Sequence, residues 1–190
     1  MNTTLYVING PSAAGKSHLM RFVENRFDGT RAIAKLTTRP RRPAEAAATW
    51  SDLIHVTDGR FEELAPEYRY TWNGYRYGIG RAELMDRLDG ARAGLIVVRD
   101  VPTIRKLSLE LSPVVAIPVL VTADPAIRKR RLLAEGLDES EVDLRLARER
   151  EADEVAPDDG IYRWRLTNEG SPEAFHREIS RMIASTVDSG

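Results

Sequence analysis

The chain has 190 residues, 42% of them hydrophobic, with 28 Lys+Arg against 29 Asp+Glu and no cysteine. Such a length supports one domain with its own apolar core, and the composition excludes disulfide frameworks, thiolate metal sites and cysteine nucleophiles. A formal net charge of −1 speaks against nucleic-acid binding through bulk charge, because domains that bind that way are strongly basic.

Residues 5–9 form a short apolar run ending at Gly10, after which Leu19, Met20, Phe22 and Val23 recur at helical spacing. This predicts strand, loop and helix. Residues 31–34 begin as a strand and pass into a Pro- and Arg-rich loop, in which Ala46, Ala47 and Ala48 suggest a mobile stretch. Residues 53–56 and 68–77 are β-prone, the second run turning at Asn73-Gly74, so that a small antiparallel patch is predicted. Residues 82–88 read as a helix, residues 94–98 as a buried strand, and another helix follows Asp100. Residues 114–121 are again strand-like despite Pro118, and Asp124 then caps a helix with Pro125 at its first position. Asp138 and Glu141 open an arginine-rich helix to about residue 154, residues 162–167 read as a last strand, and Ser171-Pro172 opens the final helix. No run approaches the ~20 apolar residues of a membrane span. Residues 1–6 also lack a basic leader, so a cytoplasmic protein is expected. Strands alternating with helices across short loops predict an α/β fold, a parallel sheet covered by helices on both faces, with the patch inserted into it.

Gly10-Pro11-Ser12-Ala13-Ala14-Gly15-Lys16-Ser17 fits the phosphate-loop pattern G-x-x-x-x-G-K-[ST] and stands where that mechanism needs it, between a strand and a helix. Backbone N–H groups of such a loop and the helix N-terminus cradle phosphates, the lysine reaches the terminal phosphates and the hydroxyl ligates Mg²⁺. The candidate donor-binding residues are therefore Gly10, Ser12, Ala13, Ala14, Gly15, Lys16, Ser17 and His18, and ATP and Mg²⁺ are the expected cofactors. The guanine-reading N-K-x-D and the switch D-x-x-G of signalling GTPases are absent, which leaves the small phosphotransferases. Downstream, Arg39, Arg41 and Arg42 stand on a loop stiffened by Pro40 and Pro43, with Glu45 nearby. Guanidinium forks suit a bidentate grip on phosphate, although the same run also reads as a solvated basic loop.

The succession of phosphate loop, Thr37-Thr38-Arg39-Pro40-x-Arg42-Pro43-x-Glu45 and Asn73-Gly74-Tyr75-Arg76-Tyr77-Gly78 resembles the guanylate kinase family of P-loop nucleoside monophosphate kinases, over nearly the whole chain. The resemblance implies a single P-loop kinase domain. Its core would span about residues 1–30 and 90–190, with an acceptor-binding insertion at about 31–80 and a helical lid at about 130–150, the last two closing toward the loop. It implies that Arg39, Arg42 and Tyr77 grip an acceptor phosphate and that Glu45 positions an arginine. Asp100 would contact acceptor or metal-bound water, sharing the metal with Ser17, and Asn168 would lie near the donor adenine. Lys16, Arg39, Arg131 and Arg145 form the expected catalytic set, the last two closing over the migrating group.

Departures from the family pattern fall at the base-reading end. Lys35 replaces a small hydroxyl facing the base, Tyr68 stands near the base-reading glutamate position with Glu67 beside it, and Leu53, Gly80, Glu135 and Val98 replace a tyrosine, a hydroxyl, a lid arginine and an acid. Lys35 and Tyr68 are thus further candidate acceptor contacts. The implied acceptor is a phosphorylated small molecule, a nucleoside monophosphate that need not be GMP. Asn73-Gly74-x-x-Tyr77-Gly78-Ile79-Gly80 is also similar to the ribose 1,5-bisphosphate phosphokinases, which makes a sugar phosphate the alternative acceptor. A non-catalytic guanylate-kinase-like binding module is the third reading, and the intact Gly15-Lys16-Ser17 opposes it. Nucleic-acid and membrane partners are not expected, and the chain reads as a monomer or homodimer. His18, His55 and His176 are scattered and read as surface or core residues, Trp72 and Tyr75 could stack on an acceptor base, and of residues 128–131 only Arg131 is expected to face the site.

Overall fold

Strand β1 (Thr4–Asn9) has Tyr6 and Ile8 on one side and Leu5 and Val7 on the other, all four fully buried, so both faces of its sheet are covered. In the computed structural model, which describes residues 3–42, 45, 48–155 and 160–187, β1 is the middle strand of a five-stranded parallel sheet. The order is β2-β7-β1-β8-β9, with β2 Thr30–Ala32, β7 Ala93–Val97, β8 Val115–Thr122 and β9 Trp164–Thr167. On one face Tyr6 and Ile8 pack against Leu19, Met20 and Val23 of α1 (Lys16–Arg26) and Phe175, Ile179, Met182 and Ile183 of α7 (Pro172–Val187). On the other, Leu5 and Val7 pack against Leu84 and Leu88 of α3 (Arg81–Leu88) and Ile104 and Leu107 of α4 (Val101–Glu110). Burying each such side chain contributes about 1.5–3 kcal/mol, so this two-sided core adds to the backbone ladders in holding the sheet together.

A second sheet of order β4-β3-β6-β5 stands beside the first, built from β3 (Lys35–Thr37), β4 (Leu53–His55), β5 (Tyr68–Trp72) and β6 (Tyr75–Ile79). The β5–β6 hairpin turns at Asn73 and Gly74, both with positive φ, as the sequence predicts. The patch is mixed and not wholly antiparallel, because β3 runs parallel to β4. Sequence reading also passes over β3, three residues too short to show a period, and over α2 (Asp58–Leu64), which buries only Phe61. Arg31 and Ala32 belong to the parallel sheet through β7, so the second sheet begins at Lys35 and not at residue 31. Of the alanines expected in a mobile stretch, Ala46 and Ala47 lie outside the described residues.

Two helices complete the chain. In α5 (Pro125–Ala134), Asp124 caps the first turn by accepting the Ala126 N–H at 2.8 Å, and before α6 (Glu139–Val155) Asp138 accepts the Glu141 N–H at 2.8 Å. They share a small apolar cluster of Leu132, Val142 and Leu146.

Gly94 tests how tightly the sheet and α3 fit. A Cβ there would overlap the Leu88 side chain and come within 2.7 Å of Ile33 Cδ1. Gly94→Ala is expected to destabilise the protein by about 1–3 kcal/mol, read as a lowered urea midpoint at unchanged slope. An unchanged midpoint would show that the interface yields freely.

Candidate active site

The carboxyl end of β1 runs into the loop at residues 10–15. Binding sites of open parallel sheets lie at this edge, where the crossovers diverge to either side of the first strand. Gly10 adopts φ +136, and a Cβ there would collide with the Val121 carbonyl, so β8 fixes how low the loop lies. Gly15, at φ +106, leaves room for the Asn168 amide, whose Nδ2 donates to the Ala14 carbonyl at 2.9 Å. Ala13 holds a left-handed conformation without being glycine (φ 57), a strained position that its neighbours must enforce. Arg131 does so in part, donating to the Ala13 carbonyl at 3.0 Å and to the Asn168 carbonyl at 3.0 Å.

Two clefts meet over this loop. One, of about 710 Å³, is lined by the loop, His18, Arg131, Asn168 and Phe175. The other, of about 580 Å³, opens toward the second sheet and is lined by Lys35, Arg39, Asp52, Tyr70, Trp72, Tyr77 and Arg99 among others. Ser12, Lys16, Ser17, Arg42, Glu45 and Arg145 line both. A group passing from one cleft to the other therefore passes Lys16 and Ser17, with Arg42 from the arginine loop and Arg145 from α6 facing it.

Among the described residues, eight cationic and three acidic side chains line the second cleft. Three carboxylates hold most of the buried cations. Glu45 grips one guanidinium nitrogen of Arg39 through both oxygens, at 2.7 and 2.9 Å, and accepts the Arg42 N–H at 3.0 Å. Burial pushes the Glu45 carboxyl up, but these bonds outweigh it and hold it below its ordinary range. His55 donates through Nδ1 to the Arg39 carbonyl at 2.6 Å. Asp52 lies 3.5 Å from Lys35 Nζ, itself 4% exposed. Burial lowers the Lys35 pKa and Asp52 partly restores it. Burial, followed by the charge of Arg99, pushes Lys16 well below the usual lysine value, against the pull of Glu149 and Asp52, and its Nζ donates to the Pro11 carbonyl at 2.6 Å.

The third carboxylate, Glu149 of α6, was not legible in the sequence. It is 1% exposed, accepts the Ser12 N–H at 2.9 Å and pairs with Arg99 at 3.2 Å and Arg128 at 2.8 Å. Burial acts to raise its pKa, but Arg99 and the Ser12 bonds hold it below the ordinary carboxylate value. Arg128, expected on a solvated face, is therefore buried in an ion pair (7% exposed).

Two expected acceptor contacts stand elsewhere. Tyr68 is buried in the core behind β5 and lines neither cleft, while Tyr70, two residues on and on the same face of the strand, does, stacked on Tyr77 at 5.3 Å. Asp100 also lines neither cleft. Its Oδ2 caps α4 by accepting from Thr103 N at 2.8 Å and Thr103 Oγ1 at 2.6 Å, and its neighbour Arg99 enters the cleft over the Trp72 ring at 4.5 Å. Trp72 and Tyr75 both line that cleft. His18 and His176, scattered in sequence, are hydrogen-bonded through Nε2 at 2.7 Å, and His176 stacks on Phe22.

A parallel sheet whose central strand feeds a phosphate loop, flanked by two clefts that meet at the loop lysine, defines a P-loop phosphotransferase of the small-kinase class. No protein-family model matches the chain. It is 31% identical over 197 residues to ribose 1,5-bisphosphate phosphokinase PhnN of Azotobacter vinelandii, covering 96% of this chain and 97% of that protein. It is 30% identical over 153 residues to a guanylate kinase of Gloeobacter violaceus (77% and 72%) and 28% identical over 190 residues to one of Sphingopyxis alaskensis (96% and 83%). The crystal structure of guanylate kinase from Anaplasma phagocytophilum shares the fold, with a TM-score of 0.61 at 18% identity over 97% of this chain and 86% of that one. The chain belongs to the guanylate kinase-like family of P-loop nucleoside monophosphate kinases.

Asp52→Asn is expected to lower stability at neutral pH by about 1–3 kcal/mol, by leaving Lys35 charged and unpaired. A lysine depressed in the folded state binds fewer protons there than in the unfolded chain, so stability rises as pH climbs toward the ordinary lysine value. The deficit should therefore shrink in alkaline urea titrations, and a pH-independent deficit would contradict the pairing.

Proposed function

We propose that the protein transfers the terminal phosphoryl group of ATP to a phosphorylated small molecule, a nucleoside monophosphate, giving the diphosphate. The observation that carries this reading is the meeting of the two clefts at Lys16, Ser17, Arg42 and Arg145. Phosphoryl transfer asks for in-line placement, charge neutralisation and exclusion of water, and no catalytic base is required. In this reading the loop N–H groups and Lys16 take the donor phosphates, and Asn168 and Arg131 keep the loop in shape. Arg39, held by Glu45, takes the acceptor phosphate together with Arg42 and Tyr77. Arg145 faces the junction, where a guanidinium offsets charge developing on the migrating group. The second sheet and the lid of about residues 130–150 act as the closing parts of a single domain.

Mg²⁺ fits the donor set. Ser17 offers a hydroxyl oxygen where the two clefts meet, and Mg²⁺ in kinases is held by few protein groups plus phosphates and water. Ser17 at the junction would hold it, and it would supply charge neutralisation at the phosphates. Among the described residues no helix is long and apolar enough to cross a membrane, and a cytoplasmic enzyme, monomeric or homodimeric, accords with this reading.

A sugar bisphosphate is the second reading for the acceptor. Lys35 and Arg99 place positive charge in the cleft where a neutral base would otherwise stand, and the PhnN relative spans 97% of its length with this chain.

An ADP-release assay with Mg·ATP against GMP, dGMP, AMP, CMP, UMP, dTMP and ribose 1,5-bisphosphate tests both. Turnover on a nucleotide supports the first reading, turnover on the sugar bisphosphate alone supports the second, and silence across the panel contradicts both. Lys16→Ala should lower the rate at least ~10²-fold, and near-wild-type transfer by that variant would overturn the phosphate-loop assignment. Lys35→Ser should shift the ranking of acceptors, and an unmodified preference for GMP in the wild type would show that Lys35 does not set specificity.

A further inference from the structure

We infer that Glu149 is a positioning residue for phosphoryl transfer, a latch by which closure of the lid helix sets Arg99 and the Ser12 end of the phosphate loop in register. The inference rests on the transfer reading above. Glu149 lines neither cleft, so it acts through the groups it holds. Those groups come from three separate segments: the Ser12 N–H from the phosphate loop at 2.9 Å, Arg99 from the end of β7 at 3.2 Å, and Arg128 from α5 at 2.8 Å. Of the three, Arg99 reaches the second cleft, its guanidinium 4.5 Å above the Trp72 ring. Clamped between an indole face and a carboxylate, it is held where an anionic acceptor or the migrating group passes.

The docking of α6 is not dictated by apolar burial alone. The cluster at its base consists of Leu132, Val142 and Leu146, with Ala13 and Leu137 packed against it. An ion pair between Glu149, 1% exposed, and Arg128, 7% exposed, is a poor source of stability, because desolvation offsets much of the Coulomb attraction. What such a pair supplies is geometry. Charged partners with fixed hydrogen-bond directions accept one docking of the lid, whereas a few leucines accept several. Ser12 links this docking to the loop itself, so lid and phosphate loop are aligned by the same two oxygens.

Glu149→Gln keeps the side-chain length and an oxygen for Ser12 while removing the charge that holds both arginines. Two readouts apply. Steady-state kinetics on the acceptor found in the panel should show kcat reduced on the order of tenfold to a hundredfold with the KM for ATP changed by less than about threefold. Hydrogen exchange of the substrate-free protein should show the amides of Ser12 and residues 139–149 exchanging faster than in the wild type. Should Glu149→Gln fail to fold, Arg99→Lys leaves the buried Glu149–Arg128 pair intact and should lower kcat in the same way. Unchanged kcat and unchanged exchange would overturn the inference. So would a raised kcat or tighter ATP binding, which would make the carboxylate a competitor of phosphate. A wild type inactive on every acceptor would sink the transfer reading instead, and the exchange comparison, which needs no substrate, would still decide the latch.

Discussion

Positive charge converging on the cleft between the phosphate loop and the second sheet is the constraint around which this molecule is arranged. Before any anion arrives, Lys16, Lys35, Arg39, Arg99 and Arg128 must be kept charged, apart and oriented, mostly away from water, where an unpaired ion is costly. The protein meets this with carboxylates assigned locally: Glu45 to Arg39, Asp52 to Lys35, and Glu149 to Arg99 and Arg128. Lys16 has no carboxylate within ion-pair distance among the described residues, rests on the Pro11 carbonyl, and feels both Arg99 and Glu149.

The fold delivers these charges by way of strand ends. Because β1 lies between β7 and β8, the phosphate loop rises at the centre of the sheet, with Arg99 beyond one neighbouring strand and the Val121 carbonyl under Gly10 on the other. The second sheet hangs β3 and β6 opposite that edge, so that Lys35 and Tyr77, both buried, line the same cleft as Lys16 and Ser17. Neither sheet alone makes a site. The second cleft opens between them and reaches the phosphate loop at Ser12, Lys16 and Ser17.

Local patterns made much of this readable in advance. The continuous apolar run of β1, the Asn73-Gly74 turn, the Asp124-Pro125 cap and the loop from Gly10 to Ser17 each rest on chemistry spanning a handful of residues. The misses share a different cause. β3 and α2 are too short to carry a period. Tyr68 and Tyr70 are equally aromatic and lie on one face of β5, and only the placement of the hairpin against α4 and the cleft separates a core residue from a lining one. Asp100 carries a carboxylate suited to a ligand and also stands at a helix N-cap, where its Oδ2 accepts from Thr103, a second role that residue type alone does not reveal.

What the sequence determined by itself is the phosphate loop, its place between strand and helix, the two-sided sheet and an arginine loop with its own carboxylate, Glu45, six residues from Arg39. Each is encoded within a short span, where backbone geometry and side-chain reach follow directly from residue order. Only tertiary structure decided the role of Glu149. Its partners lie 137, 50 and 21 residues away, so nothing in an acidic stretch of a lid helix distinguishes it from its solvated neighbours until the chain has closed. Long-range electrostatic pairing is set by where elements pack, and packing is a property of the whole core.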